Sequence, residues 1–327
     1  MANFAIIKLC CISPIHIGTG RESYDSSSSW LHSDTIASAM AAMSAQRGAT
    51  DIGGFLDDLV ISSAFPFFGD ILFLPKAHCR IRITKEVECR KKLKHVSFIE
   101  ASLWMKMAQG AILSLDDVAI DGVFMYPKGC DCGKISCAQT MQRVKVYADA
   151  EKDAEPFFFE WKYFDKEAGL YFMTTAEGKQ LERIVSLMEQ LGDTGLGTDK
   201  NVGGGKFDVE VSHIKVDDIQ EANARMLLSM YIPGDDELEY LNLDQSFYSI
   251  QRRGGFAAGS TIPELRHLRK KNVYMFDEGS VFMTTSELKG NVVDLRPDWN
   301  NPEMHPMYRS GKPFSLPYKV PDKISAL

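Results

Sequence analysis

The chain has 327 residues, 45% of them apolar and 25% charged, with a formal net charge of −7. That length suggests about two domains, and the ordinary globular composition excludes a disordered, collagen-like or coiled-coil chain. The acidic balance argues against a protein that simply coats nucleic acid.

Residues 4–12 form a β-rich run without helical period, punctuated by Ser13-Pro14 and then by four consecutive serines at 26–29. Ser33-Asp34 precedes Ile36, Met40 and Met43, a stripe that predicts an N-capped helix to about Gln46. Residues 48–156 read as a large insertion before the next strand of the main unit. Within it, short strands are expected at 71–74 and 80–84. A helix is expected after the capping box Ser97-Phe98-Ile99-Glu100, with Ile99, Leu103 and Met107 on one face and Gly110 at its end.

The insertion also holds a basic stretch, 80–94, with seven basic residues against two acidic ones. Its lysines suit adaptable phosphate contacts or an acidic neighbour equally. Cys130, Cys132 and Cys137 form the one cysteine cluster. Zinc there would need a distant fourth ligand such as Cys89 or His95, so a reduced loop and no cofactor are expected.

Aromatic strands follow at 157–164 and 170–174, joined by the turn Asp165-Lys166-Glu167-Ala168-Gly169. A capping box, Thr174-Thr175-Ala176-Glu177, leads into a helix through Leu181, Ile184, Val185, Met188 and Leu191, with Gly192 as its stop. The loop 192–206 then has six glycines in fifteen positions, and Phe207, Val209 and Val211 alternate as a strand.

The order β-α-β-β-α-β is ferredoxin-like. Such a unit leaves one sheet face open, which a partner domain or a ligand must cover. Residues 216–327 supply one, with strands expected at 226–231, 247–252, 272–276, 281–284 and 291–295 and a hairpin turn at Asp277-Glu278-Gly279-Ser280. A second basic stretch, 251–276, has six basic residues against one acidic. The expected fold class is α+β: two fused ferredoxin-like (RRM-like) domains, 1–215 with the insertion, and 216–327, β-rich and degenerate.

Glycines in the 192–206 loop free successive amides to approach an anion, and Lys200 and Lys206 add charge. The loop follows a helix and opens a strand, the wrong order for a P-loop or a dinucleotide fingerprint. A kinase, NTPase or dehydrogenase is therefore not expected, and a clamp on a phosphate backbone is. Residues 1–8 lack a signal-peptide pattern and no apolar run reaches the ~20 residues of a membrane span. With seven cysteines, an odd number, a reducing cytoplasm is the expected location.

Several strings carry a resemblance. They are Ile15-His16-Ile17-Gly18-Thr19-Gly20 with His32-Ser33-Asp34-Thr35, Ser63-Ala64-Phe65-Pro66-Phe67, and the glycine-rich loop. In the second half they are Arg252-Arg253-Gly254-Gly255-Phe256, the segment 269–282, and the tail 305–312. Together these resemble the RAMP superfamily of CRISPR-associated proteins and, within it, the fourth subunits of type III-A Csm effector complexes. The resemblance implies two RAMP domains in a non-catalytic subunit of a hetero-oligomeric ribonucleoprotein in antiviral defence. Such a subunit holds the repeat-derived 5′ tag of crRNA and bridges the large polymerase-like Cas subunit to the backbone RAMP subunit of the filament.

RNA contacts are then expected from His16, Gly18, Arg21, Ser33, Lys200, Asn201, Gly203, Gly204, Gly205, Lys206, Arg252, Arg253 and Arg309. Cations, open backbone and aromatic rings are what a single-stranded RNA end requires. Alternatives are the equivalent subunit of a type III-B complex, or a RAMP endoribonuclease using Asp34 and His16. For Asp34, N-capping is the simpler expectation.

Overall fold

The computed structural model of the chain describes residues 2–18, 24–28, 30–147, 153–257, 262–265, 267–297 and 304–321. Its first part runs β1 (Ala2–Cys10), α1 (Ser33–Gln46), α2 (Ile52–Asp57), β2 (Phe65–Phe68) and β3 (Ile71–Pro75). It continues through α3 (Glu86–His95), β4 (Phe98–Glu100), α4 (Ala101–Ala108), β5 (Val118–Asp121) and β6 (Phe124–Pro127). Two long strands, β7 (Ser136–Lys145) and β8 (Glu155–Phe164), lead to β9 (Ala168–Thr174), α5 (Gly178–Thr194) and β10 (Asp208–Val216). The second half begins with β11 (Ala224–Leu227), β12 (Ile250–Arg253), β13 (Val273–Phe276) and β14 (Val281–Phe282). It ends with β15 (Val292–Asp294), β16 (Tyr308–Ser310) and β17 (Ser315–Tyr318).

Eight strands make one mixed sheet in the order β10-β1-β9-β2-β3-β4-β6-β5. Its first four neighbours are antiparallel, and α1 and α5 provide the crossovers of two interlocked β-α-β units. Alternation along the central strands fills both faces. Ile7 and Leu9 of β1 and Leu170 and Phe172 of β9 pack with Ile36 and Met40 of α1 and Ile184 and Met188 of α5. Ile6, Tyr171 and Met173 pack on the other side with Trp104 of α4 and with Met226, Leu316 and Tyr318 of the second half. Each such side chain, fully buried, contributes roughly 1.5–3 kcal/mol. A three-stranded sheet, β14-β11-β17, thus covers the face that the first unit leaves open.

Several expectations are corrected. Residues 157–164 do not join the large sheet, because β8 pairs with β7 as a separate ribbon. The place beside β9 belongs to β2, and residues 69–167 run between the two strands. β2 reads Phe-Pro-Phe-Phe and is buried on both faces, so it shows no alternation to reveal it. Residues 80–84 make a single bridge, Ile83 to Leu113.

The caps differ too. α4 starts after Glu100, whose carboxylate accepts from the Ser102 and Leu103 N–H groups at 3.0 and 3.1 Å, so Ser97 is not its cap. The Thr174 hydroxyl donates to the Val60 carbonyl, and α5 begins without a side-chain cap. α1 has none either, and His32 stands at its N-cap position. The turn at 277–280 closes no hairpin: β13 pairs with β12 and β14 with β11, so the turn carries the chain from one small sheet to another. No helix among the described residues is long and apolar enough to cross a membrane.

Candidate nucleic-acid interface

Asp34 is fully buried in the first turn of α1, and two guanidiniums of the second half share its carboxylate. Arg253 of β12 donates from Nε at 2.9 Å and from Nη2 at 3.0 Å. Arg309 of β16 donates from Nη1 to the same carboxylate and from Nη2 to the Gly254 carbonyl at 2.6 Å. Burial by itself would raise the pKa of Asp34, but Arg309 and then Arg253 outweigh it and hold the carboxyl well below the usual carboxylate range. Burial, and then the Arg309 charge, lower the Lys270 ammonium to about 8, with Asp34 opposing.

A second polar cluster lies alongside. His32 Nδ1 is 2.9 Å from Glu278 Oε1, and the Ser63 hydroxyl donates to that same oxygen. The Ser33 N–H donates to the Ser63 hydroxyl at 2.8 Å, while the Ser33 hydroxyl accepts from the Met230 N–H at 2.9 Å. His32-Ser33-Asp34-Thr35 is therefore a lock that joins the two halves of the chain.

Different residues meet at the end of β1. The Ser13 hydroxyl donates to the Gly203 carbonyl and accepts from the Lys206 N–H, both at 2.8 Å. The Thr198 N–H donates to the His16 carbonyl and the Gly205 N–H to the Pro14 carbonyl, both at 3.0 Å. The amides of residues 202–207 all donate within the protein, to the chain's own carbonyls and hydroxyl, so that end of the loop does not form the expected anion nest. Close packing explains Gly204 and Gly205. Gly205 has φ +68°, and a Cβ there would lie 1.8 Å from the Leu196 carbonyl oxygen. A Cβ on Gly204 would stand 2.7 Å from the Trp161 ring.

The ribbon lays one aromatic face against this loop. The Arg143 guanidinium sits 4.6 Å from the Phe159 ring centre and 5.4 Å from that of Trp161, and pairs with Asp199 in the loop. His16 is wholly buried; its Nδ1 lies 2.8 Å from the Glu160 carbonyl oxygen and its ring 4.6 Å from Phe159. Tyr24 stacks on Phe159 at 5.8 Å with planes 19° apart, yet is 48% exposed. Lys200, Asn201 and Lys206 are exposed on the same rim, and among the described residues neither lysine has an acidic partner. The rim can therefore offer mobile cations to phosphates and the open ring of Tyr24 to a base.

Of the residues expected to contact RNA, Gly18, Lys200, Asn201, Lys206 and Arg252 are exposed and Gly203 is half-buried. His16, Ser33, Gly204 and Gly205 are buried, and Arg253 and Arg309 turn inward onto Asp34. Those six serve the loop or the lock in the chain by itself. Arg21 lies outside the described residues. Asp34 is not an N-cap, and it meets the second half while His16 meets the ribbon, so the two form no acid–base pair. Cys130, Cys132 and Cys137 belong to no metal-binding group among the described residues. Tyr24, Arg143 and Glu278 were missed. The alternating aromatics at 157–161 facing a strand that contains Arg143 and Lys145 were the available signal for the first two.

Residues 220–318 match the family described as the CRISPR Csm4 C-terminal domain. The chain is 26% identical over 302 residues to the CRISPR system Cms protein Csm4 of Mycobacterium tuberculosis (strain ATCC 25618 / H37Rv), covering 91% of this chain and 93% of that protein. Its fold resembles that of a chain in a Csm3–Csm4 subcomplex of the type III-A CRISPR-Cas interference complex. That match has a TM-score of 0.66 and 17% identity, and covers 97% of this chain and 100% of that one. It also resembles a chain of a Csm1–Csm4 cassette in complex with cA4, at TM-score 0.61 and 17% identity, over 98% of this chain and 100% of that one. Sequence and fold together make the chain similar to CRISPR-associated Csm4 proteins. It is Csm4-like over most of its length.

Proposed function

We propose that the chain is the RNA-binding, non-catalytic subunit of a type III-A Csm complex, holding the repeat-derived 5′ tag of crRNA at the rim beside the glycine-rich loop. The observation that carries this reading is the convergence there of Lys200, Asn201, Lys206 and the open ring of Tyr24. Single-stranded RNA is gripped by such a combination of cations on phosphates and rings on splayed bases. The non-catalytic reading is supported by Asp34 and His16: both are enclosed by protein, one neutralised by two arginines and the other capped by Tyr24 and Phe159. No cofactor enters this role.

Bridging needs protein-facing surface. Relatives occur in a Csm3–Csm4 subcomplex and a Csm1–Csm4 cassette, which supports a large polymerase-like subunit and a backbone RAMP subunit as the partners here. The open face of β12 and β13 carries Ile250, Arg252 and Tyr274, with Arg252 and Tyr274 directly opposite one another. Tyr and Arg are the residue types that dominate protein interfaces. In domain terms, we read 1–215 and 216–327 as two ferredoxin-like RAMP domains, the second degenerate.

The test is electrostatic. Replacing Lys200 and Lys206 together by glutamine should make the logarithm of tag affinity fall less steeply with the logarithm of salt, by about 1.4 for two phosphate contacts on a single strand. Titrations of a labelled tag RNA at several KCl concentrations measure that slope, and an unchanged slope would remove both lysines from the contact.

A further inference from the structure

Helix α3 carries a cationic face that neither the rim nor the lock uses. Cys89 and Leu93 are buried on one side; Val87, Arg90, Lys91 and Lys94 share the exposed face opposite, flanked by exposed Glu88, Lys92 and His95. Arg90 and Lys94 are one turn apart, about 5–6 Å at Cβ, with Lys91 beside them. The cations just before them are taken: Arg80 pairs with Glu86 and Lys85 with Asp116. Among the described residues, Arg90, Lys91 and Lys94 have no hydrogen-bonding or ionic partner. The helix dipole accounts for cations in the last turn, where Lys92, Lys94 and His95 stand. It does not account for Arg90 and Lys91.

Two features select the occupant. Lysine is depleted in protein–protein interfaces, whereas protein–nucleic acid interfaces are strongly cationic. The face also has no aromatic ring, and its one apolar residue is Val87. Cations without a stacking partner contact phosphates and carry no base information.

The sheet register separates this face from the rim. β1 ends at the rim beside the start of β9, and β2 ends there too. β3 runs back to the other end, where its last residue, Pro75, pairs with Phe98 at the start of β4, directly after α3. We propose that the α3 face holds the phosphate backbone of a further stretch of single-stranded RNA, at the opposite end of the sheet from the rim and without regard to base sequence. The choice of RNA rests on the RNA-binding reading above.

The test uses the full chain with Arg90→Gln, Lys91→Gln and Lys94→Gln combined, since glutamine keeps a high helix propensity. Fluorescein-labelled oligouridylate RNA, a mixed-sequence RNA and oligothymidylate DNA are titrated at several KCl concentrations. With both RNA probes the salt slope should become shallower by about 2, at about 0.7 for each phosphate no longer neutralised. An unchanged RNA slope, or a change with the DNA probe alone, overturns the proposal. So does an intact RNA slope accompanied by loss of co-purifying protein subunits, which would assign the face to a protein. The Lys200→Gln, Lys206→Gln variant measured in parallel keeps the two readings apart. A flat response there counts against the rim, and a flat response in the α3 variant counts against α3.

Discussion

Replacing Asp34 by alanine is expected to destabilise the chain by about 3–5 kcal/mol, because the buried Arg309 and half-buried Arg253 guanidiniums lose the charge they share. Arg253 donates to it twice and Arg309 once, and neither arginine reaches another carboxylate in the lock. Urea unfolding followed by circular dichroism measures the loss, and a change below about 1 kcal/mol, the range of exposed pairs, would mean that the lock contributes little. Arg253→Ala should share most of the effect, while Arg252→Ala, on the exposed face, should not. The pH dependence has a definite sign. A carboxyl held below its ordinary value near 3.9 stabilises fully above that pH, and its contribution declines only as the pH falls below it. A loss of stability on raising the pH from 5 to 7 could not come from Asp34.

The second large effect falls on RNA rather than on the fold. Tyr24→Ala should weaken binding of the tag by about 1–3 kcal/mol, the contribution of one stacked base, with little change in salt slope. Tyr24→Phe keeps the ring and should restore most of that affinity. Fluorescence anisotropy with a labelled tag RNA distinguishes them, and equal affinity of wild type and Tyr24→Ala would take the ring out of the contact. Stacking and charge are thereby separable: the lysine pair moves the slope, the tyrosine moves the intercept.

The sequence revealed regular, locally encoded elements better than it revealed partners. The stripe Ile36, Met40, Met43 and the run from Leu181 to Leu191 mark α1 and α5 because a helix repeats its apolar face every three or four residues. β2 stayed hidden because a four-residue strand buried on both faces has no period. Asp34 shows the deeper difficulty. Ser-Asp before an apolar stripe is a local capping signal, while the groups that hold Asp34 lie 219 and 275 residues away. The pairing of Arg253 and Arg309 with Asp34 was illegible for the same reason. An arginine beside glycine suits RNA and a buried carboxylate equally, and only tertiary placement chooses. The glycine-rich loop was correctly placed between α5 and β10, yet Gly205 answers to the Leu196 carbonyl and Gly204 to the Trp161 ring. The strings that carried the family resemblance thus include residues that build the scaffold as well as residues that face solvent.

Photo-cross-linking addresses the rim directly. A guide RNA with 4-thiouridine in its 5′ tag, assembled into the complex and irradiated, should attach at residues 13–18, 24, 143–147, 153–161 or 198–206, as mapped by mass spectrometry of the digested protein. Attachment confined to other parts of the chain, or to other subunits alone, would contradict the placement of the tag on this rim.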